Sequence, residues 1–221
     1  MAGIGVRLNR FFQKRSITAG LAGVAYGSCL TVAPMVLVIG VLLLLEWILG
    51  FDTLDYYTRE LFSCTILYIF IFSLLSAAPF NSVLSKYMQD AIFEDRYQDI
   101  LPCFYIGLML NILFSCLLGI PFCLWEHFVG EVPVAYVFIS FCGFISLVLV
   151  FYSMLFLSIC KDYGRISLFF LTGLTVSFVL ALILHFWAGW GVTESMLFSL
   201  TVGFFLIAVL EYGSVRRYFV E

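Results

Sequence analysis

The chain has 221 residues, 63% of them hydrophobic, 19% aromatic and only 11% charged, with a formal net charge of −3. Soluble domains carry about 25% charged residues and roughly 45–50% apolar ones, so a soluble globular domain is excluded, and so is disorder, which needs low hydrophobicity and high charge. No basic stripe is present to hold a nucleic acid.

What remains is an all-α integral membrane protein. Charged residues cut the chain into six apolar runs, each near the roughly 20 residues that a helical span requires. Residues 1–15 precede them. There Arg7, Arg10, Lys14 and Arg15 alternate with Leu8, Phe11 and Phe12, a pattern that suits an amphipathic helix on an anionic leaflet. The transmembrane lobe is expected over 16–212, beginning with a first span over 17–49. At about 1.5 Å per residue that span exceeds a hydrocarbon core of about 30 Å, so it tilts, bends or projects. Pro34 removes one helical hydrogen bond near its middle. Gly20, Gly23, Gly27 and Thr31 form a small-residue stripe, with a GxxxG at Gly23 and Gly27 that admits a close neighbour. A bendable helix and a static kink fit this pattern alike.

The second span, 61–80, ends near Pro79. The connector that follows sets Leu84, Met88, Ala91 and Ile92 near helical spacing, with Lys86, Asp90, Glu94, Asp95 and Arg96 on other faces. It reads either as a cytoplasmic partner surface, carried by Lys86, Asp90, Glu94 and Arg96, or as an amphipathic extension resting on the membrane. The third span, 101–125, holds Asn111, the clearest deep polar side chain, which lines a passage or bonds a neighbouring helix. Spans over 132–160, 166–188 and 195–211 follow, then a basic tail over 213–221 with Arg216 and Arg217.

Ten of the eleven Lys and Arg residues fall on one side of this arrangement, and Arg59 alone on the other. The positive-inside rule then makes both termini cytoplasmic. Trp47, Trp125, Trp187 and Trp190 all fall at the outer ends of spans one, three and five, where interfaces favour tryptophan. The outer connectors are acidic, with Asp52, Asp55, Glu60, Glu126, Glu131 and Glu194. They attract a cationic solute, or they simply occupy the side from which cations are excluded.

Candidates for chemistry are few. Glu46 and Glu211 are near span ends, and no Asp, Glu, Lys or Arg is at a mid-span position, which argues against a proton relay or sodium site within this chain. His127 and His185 are expected at the interface, not on a metal. The seven cysteines, Cys29, Cys64, Cys103, Cys116, Cys123, Cys142 and Cys160, include no CxxC pair and read as small hydrophobes, although a bond between Cys64 and Cys123 stays open. HExxH, GxSxG and P-loop patterns are absent. No enzyme, metal or cofactor is expected.

Three segments carry a family resemblance. The first is Met1-Ala2-Gly3-Ile4-Gly5 before its basic, leucine-containing stretch. The second is Ala25-Tyr26-Gly27 leading to Ala33-Pro34. The third is Leu84-Ser85-Lys86-Tyr87-Met88, then Ile92-Phe93-Glu94-Asp95-Arg96 and Ile100-Leu101-Pro102. In order and spacing the chain resembles the N-terminal half of the PelG family, the membrane subunit of Pel exopolysaccharide export and a branch of the MOP flippase superfamily. The likeness covers the first hundred residues or so, and the remainder matches as spans. Where the family has Gly-Pro-Trp, this chain has Ala33-Pro34-Met35.

The resemblance implies one six-helix lobe of a two-lobe transporter in the bacterial cytoplasmic (plasma) membrane, exporting an amino-sugar polysaccharide of the biofilm matrix. It implies a cytoplasmic glycosyltransferase, cyclic-di-GMP-responsive membrane partners, and a second transporter lobe or homo-oligomer. Tyr26, Thr31 and Asn111 are the substrate-path candidates it leaves. Two other readings compete. One is a MOP-type small-molecule or multidrug exporter, weakened by the lack of an intramembrane carboxylate. The other is a non-transporting scaffold for the glycosyltransferase.

Overall fold

The computed structural model describes residues 17–94, 96–159 and 162–220, with the side chains of residues 17–31, 97 and 218–220 outside the description. Among the described residues every regular element is helical. They are α1 (Ile17–Ile48), α2 (Tyr56–Phe93), α3 (Ile100–Phe128), α4 (Val134–Ile159), α5 (Tyr163–Phe186) and α6 (Val192–Val220), with short 3-10 turns at Phe51–Thr53 and Tyr97–Asp99. Helices α2 to α6 each contain a stretch long and apolar enough to cross a membrane, and in α1 the part whose side chains are described, Val32–Ile48, is apolar as well. The all-helical membrane fold expected from composition is therefore the fold observed. Its physical cause is that only a helix satisfies its own backbone groups in hydrocarbon.

Local chemistry sets the turns. Gly50, at φ 67, ends α1 in the left-handed region, which glycine enters without a Cβ penalty. Asp55 caps α2 by accepting from the Tyr57 amide at 3.3 Å. At the other two turns on this end, each histidine closes its own loop. His127 Nδ1 meets the Val132 carbonyl at 3.0 Å, and His185 Nδ1 meets the Trp190 carbonyl at 3.1 Å. Neither histidine belongs to a metal-binding group, and no such group is found among the described residues. Cys64, Cys103, Cys116, Cys123 and Cys142 are free thiols.

Helix α2 runs unbroken through Pro79 for 38 residues. The proline removes the bond to the Leu75 carbonyl, and beyond it Met88 and Ala91 are fully enclosed in the common core with Ile100. The apolar face of this segment thus packs within the chain. Helix α6 likewise continues through Arg216 and Arg217 to Val220.

Helix α6 is central and packs against α4 and α5. Helix α4 also carries α2 and α3, and α1 lies along α5. Helices α5 and α6 approach closely at facing glycines. A Cβ on Gly173 would collide with Ile207 and stand 2.9 Å from the Gly203 carbonyl oxygen. Around the α3–α4 contact, Tyr152 is fully buried and donates to the Phe104 carbonyl at 2.9 Å. Phe104 and Phe156 meet edge to face there at 4.6 Å.

Candidate functional site

The seam between α2, α3 and α4 holds two hollows and a polar waist. A cleft of about 460 Å³ opens between the first half of α2, the last turns of α3 and the start of α4. Glu60 and Glu126 bring carboxylates to it, and Tyr57, Tyr68, Phe122 and Tyr136 supply aromatic walls. Tyr68 and Phe122 stand edge to face with ring centres 6.0 Å apart. Tyr136 donates to Thr65 Oγ1 at 3.3 Å, so both hydroxyls are fixed in position. Cys64 and Cys123 also line this cleft, and both remain free.

A second hollow of about 550 Å³ lies between the opposite halves of α2 and α3, lined by Phe80, Tyr87, Asp99, Pro102 and Cys103 among others. Along α2 the stretch between the hollows contains Ser73 and Ser76. Along α3 it contains Asn111 and Ser115. All four are buried. Ser73 donates to the Ile69 carbonyl and to the Phe144 carbonyl of α4, the latter at 3.3 Å. Both amide atoms of Asn111 and the hydroxyls of Ser76 and Ser115 have no hydrogen-bond partner. Buried polar groups are normally satisfied, and an unsatisfied one calls for a functional account. Asn111 sits on the α3 face formed with Ile100, Phe104, Gly107 and Ser115, all buried.

Of the other residues singled out from sequence, the side chains of Tyr26 and Thr31, and the surroundings of Gly23 and Gly27, lie outside the described residues, as does the basic segment 1–15. Pro34 is buried within α1. That helix has α5 as its main neighbour, whereas α3 packs on α4 and α2. Lys86, Asp90, Glu94 and Arg96 are exposed at the far end of α2. Arg96 bridges Glu94 at 2.6 Å and Asp99 at 3.4 Å. The Glu94 hydrogen bond and charge push its pKa above the ordinary arginine value. Asp95 is outside the described residues.

Sequence reasoning missed two features. Glu60 and Glu126 are far apart in the chain, and only the antiparallel pairing of α2 with α3 brings both to one cleft. The sequence sets Glu211 near a span end. In the structure it is fully buried and both carboxylate oxygens lack a partner. The expectation that no carboxylate lies inside the bundle is therefore corrected, because enclosure by the helices packed on α6 counts for more than distance from a helix end.

The family model PelG, described as an exopolysaccharide exporter (EPS-E), matches residues 1–221. No curated protein and no solved structure matches.

Proposed function

Because the chain belongs to the PelG family of exopolysaccharide exporters, we propose that it exports a Pel-like amino-sugar polysaccharide for the biofilm matrix, with the α2–α3–α4 seam as its saccharide-contacting surface. The observation that carries this reading is the waist, where Asn111, Ser76 and Ser115 lie between two hollows with hydrogen-bonding capacity unused. Sugars present hydroxyls that answer such groups, and their ring faces stack on aromatic side chains. The cleft offers both kinds of partner, and Glu60 and Glu126 add the charge that an amino-sugar requires. The chain acts without catalytic turnover of its own, as a multi-pass protein of the bacterial plasma membrane with both termini cytoplasmic.

On this reading the exposed Lys86, Asp90, Glu94 and Arg96 face a cytoplasmic glycosyltransferase, and cyclic-di-GMP-responsive partners regulate the assembly. A second lobe, or a second copy in a homo-oligomer, encloses the path as in other repeat-built transporters. A bend at Gly23, Gly27 and Pro34 belongs to the same proposal.

The test is an in-frame deletion complemented with the 221-residue chain or with Asn111→Leu. Surface hexosamine polymer restored by the unaltered chain and lost with Asn111→Leu, while intracellular polymer persists, is the expected result. Full export by Asn111→Leu refutes the route. A second reading, export of small cationic or hydrophobic molecules, is favoured by the enclosed Glu211, since that carboxylate removes the argument against ion coupling. It predicts altered drug sensitivity with unchanged polymer.

A further inference from the structure

The saccharide reading draws its partners from the cleft and the waist. The second hollow carries different chemistry. Among its lining residues Tyr87 and Asp99 alone bring side-chain oxygen. Tyr87 is late in α2 and Asp99 directly precedes α3, so the antiparallel pairing sets both at one end. The rest of the wall is apolar, and its Val83, Ile106 and Leu110 are exposed. A sugar hydroxyl placed along that stretch would lose its hydrogen bonds to water without replacing them.

The hollow has the length of one leaflet. Along α3 it runs from Asp99 to Leu110, about 17 Å at about 1.5 Å per residue. Half of a hydrocarbon core of about 30 Å is about 15 Å. The apolar end stops one residue before Asn111, the buried amide of the waist. The polar end is the end of α2 that carries Lys86, with Arg96 just beyond it. Tyrosine favours the membrane interface, so Tyr87 marks the headgroup level. A groove open to hydrocarbon, one leaflet long and polar only at headgroup level, fits an acyl chain and the headgroup attached to it.

The charges select the headgroup. Arg96 bridges Glu94 at 2.6 Å and Asp99 at 3.4 Å, so a single guanidinium serves two carboxylates and the triad keeps a negative charge. The longer bridge is the one to Asp99, whose side chain is half-exposed and retains acceptor capacity. Lys86 and Asp90, exposed on the same end of α2, are opposite in sign and leave that balance unchanged. A purely anionic headgroup is therefore repelled. An ammonium group donates to Asp99, and a phosphate beside it accepts from the Tyr87 hydroxyl.

We propose that the second hollow binds a single zwitterionic aminophospholipid from the leaflet on the Lys86 side. One acyl chain lies along Val83, Ile106 and Leu110, the ammonium sits on Asp99 and the phosphate on Tyr87. The site goes beyond the export reading and does not rest on it.

The experiment uses the full chain purified from native membranes in a mild detergent. Native mass spectrometry reads the lipid that stays bound, and the stripped protein is then titrated with phosphatidylethanolamine or phosphatidylglycerol. A single phosphatidylethanolamine is expected to be retained by each chain, and to rebind about fivefold more tightly than phosphatidylglycerol. Ile106→Trp fills the groove and lowers retention. Leu113→Trp, similarly exposed on α3 but outside the hollow, leaves it unchanged. Asp99→Asn still takes a lipid but loses the preference for phosphatidylethanolamine. No retained lipid, equal affinity of the wild-type chain for the two lipids, or retention that Ile106→Trp leaves unchanged overturns the proposal. So does a two-chain mass that Ile106→Trp reduces to one chain without lipid, which would give the hollow to a second copy. Ile106 and Leu113 are both exposed, so neither substitution enters the packed core.

Discussion

Gly173→Ala tests the packing of the central helix pair. A Cβ at Gly173 meets Ile207, which can change rotamer. It also stands 2.9 Å from the Gly203 carbonyl oxygen, which is backbone of the facing helix and cannot. The helices must therefore separate. Overpacking of this kind costs about 1–3 kcal/mol, and the immovable partner puts Gly173 toward the upper end. Alanine regains up to about 1 kcal/mol of helix propensity, which leaves a net loss of about 2 kcal/mol. Gly213→Ala is the control, because a Cβ there meets nothing within 4 Å and only the propensity gain remains. The two variants then differ by about 3 kcal/mol. At about 2–4 °C per kcal/mol for a chain of this size, their melting temperatures differ by about 6–12 °C in one detergent, read by tryptophan fluorescence. Equal melting temperatures would refute the reasoning, because they would mean that the close approach of α5 and α6 carries no strain on substitution.

Three further outcomes follow from the geometry. Tyr152→Phe removes the bond to the Phe104 carbonyl and lowers stability by about 0.5–1.5 kcal/mol in the same melt; an unchanged melt would mean that the bond is not made. Cys64 and Cys123 line one hollow and Cys103 the other, so a membrane-impermeant thiol reagent on intact cells modifies the first two and spares Cys103, whereas the reverse pattern would invert the orientation. Arg96→Ala leaves the exposed bridges to Glu94 and Asp99 unmade and changes stability by no more than about 0.5 kcal/mol; a loss of export at unchanged stability would mark that corner as a partner contact.

Much of the fold was legible because membrane burial acts on composition. Charged residues interrupt the apolar runs, and hydrocarbon admits only helices in between. Pro79 was less legible. Its effect on a helix depends on what holds the turns beyond it, here Met88 and Ala91 in the core, and that is a tertiary fact. Asn111 was visible as a deep amide, but its companions Ser76 and Ser115 were not, since serine is common in spans and becomes notable only when left unpartnered. The cleft depends on which helices become neighbours, and no local pattern near Glu60 or Glu126 states that. For Glu211 the local pattern pointed the wrong way: Arg216 and Arg217 follow within two turns, and a residue so near a basic tail reads as wet.

The two histidine closures repeat one construction at two corners of the bundle. A carbonyl oxygen only accepts, so in each closure Nδ1 carries the hydrogen and Nε2 holds the lone pair. The bonds to Val132 and Trp190 each span five residues and close the chain back on the helix it has just left. The α3–α4 and α5–α6 corners are therefore clasped by side chains of the helices that lead into them, so the last turn of each helix sets the path of its own loop.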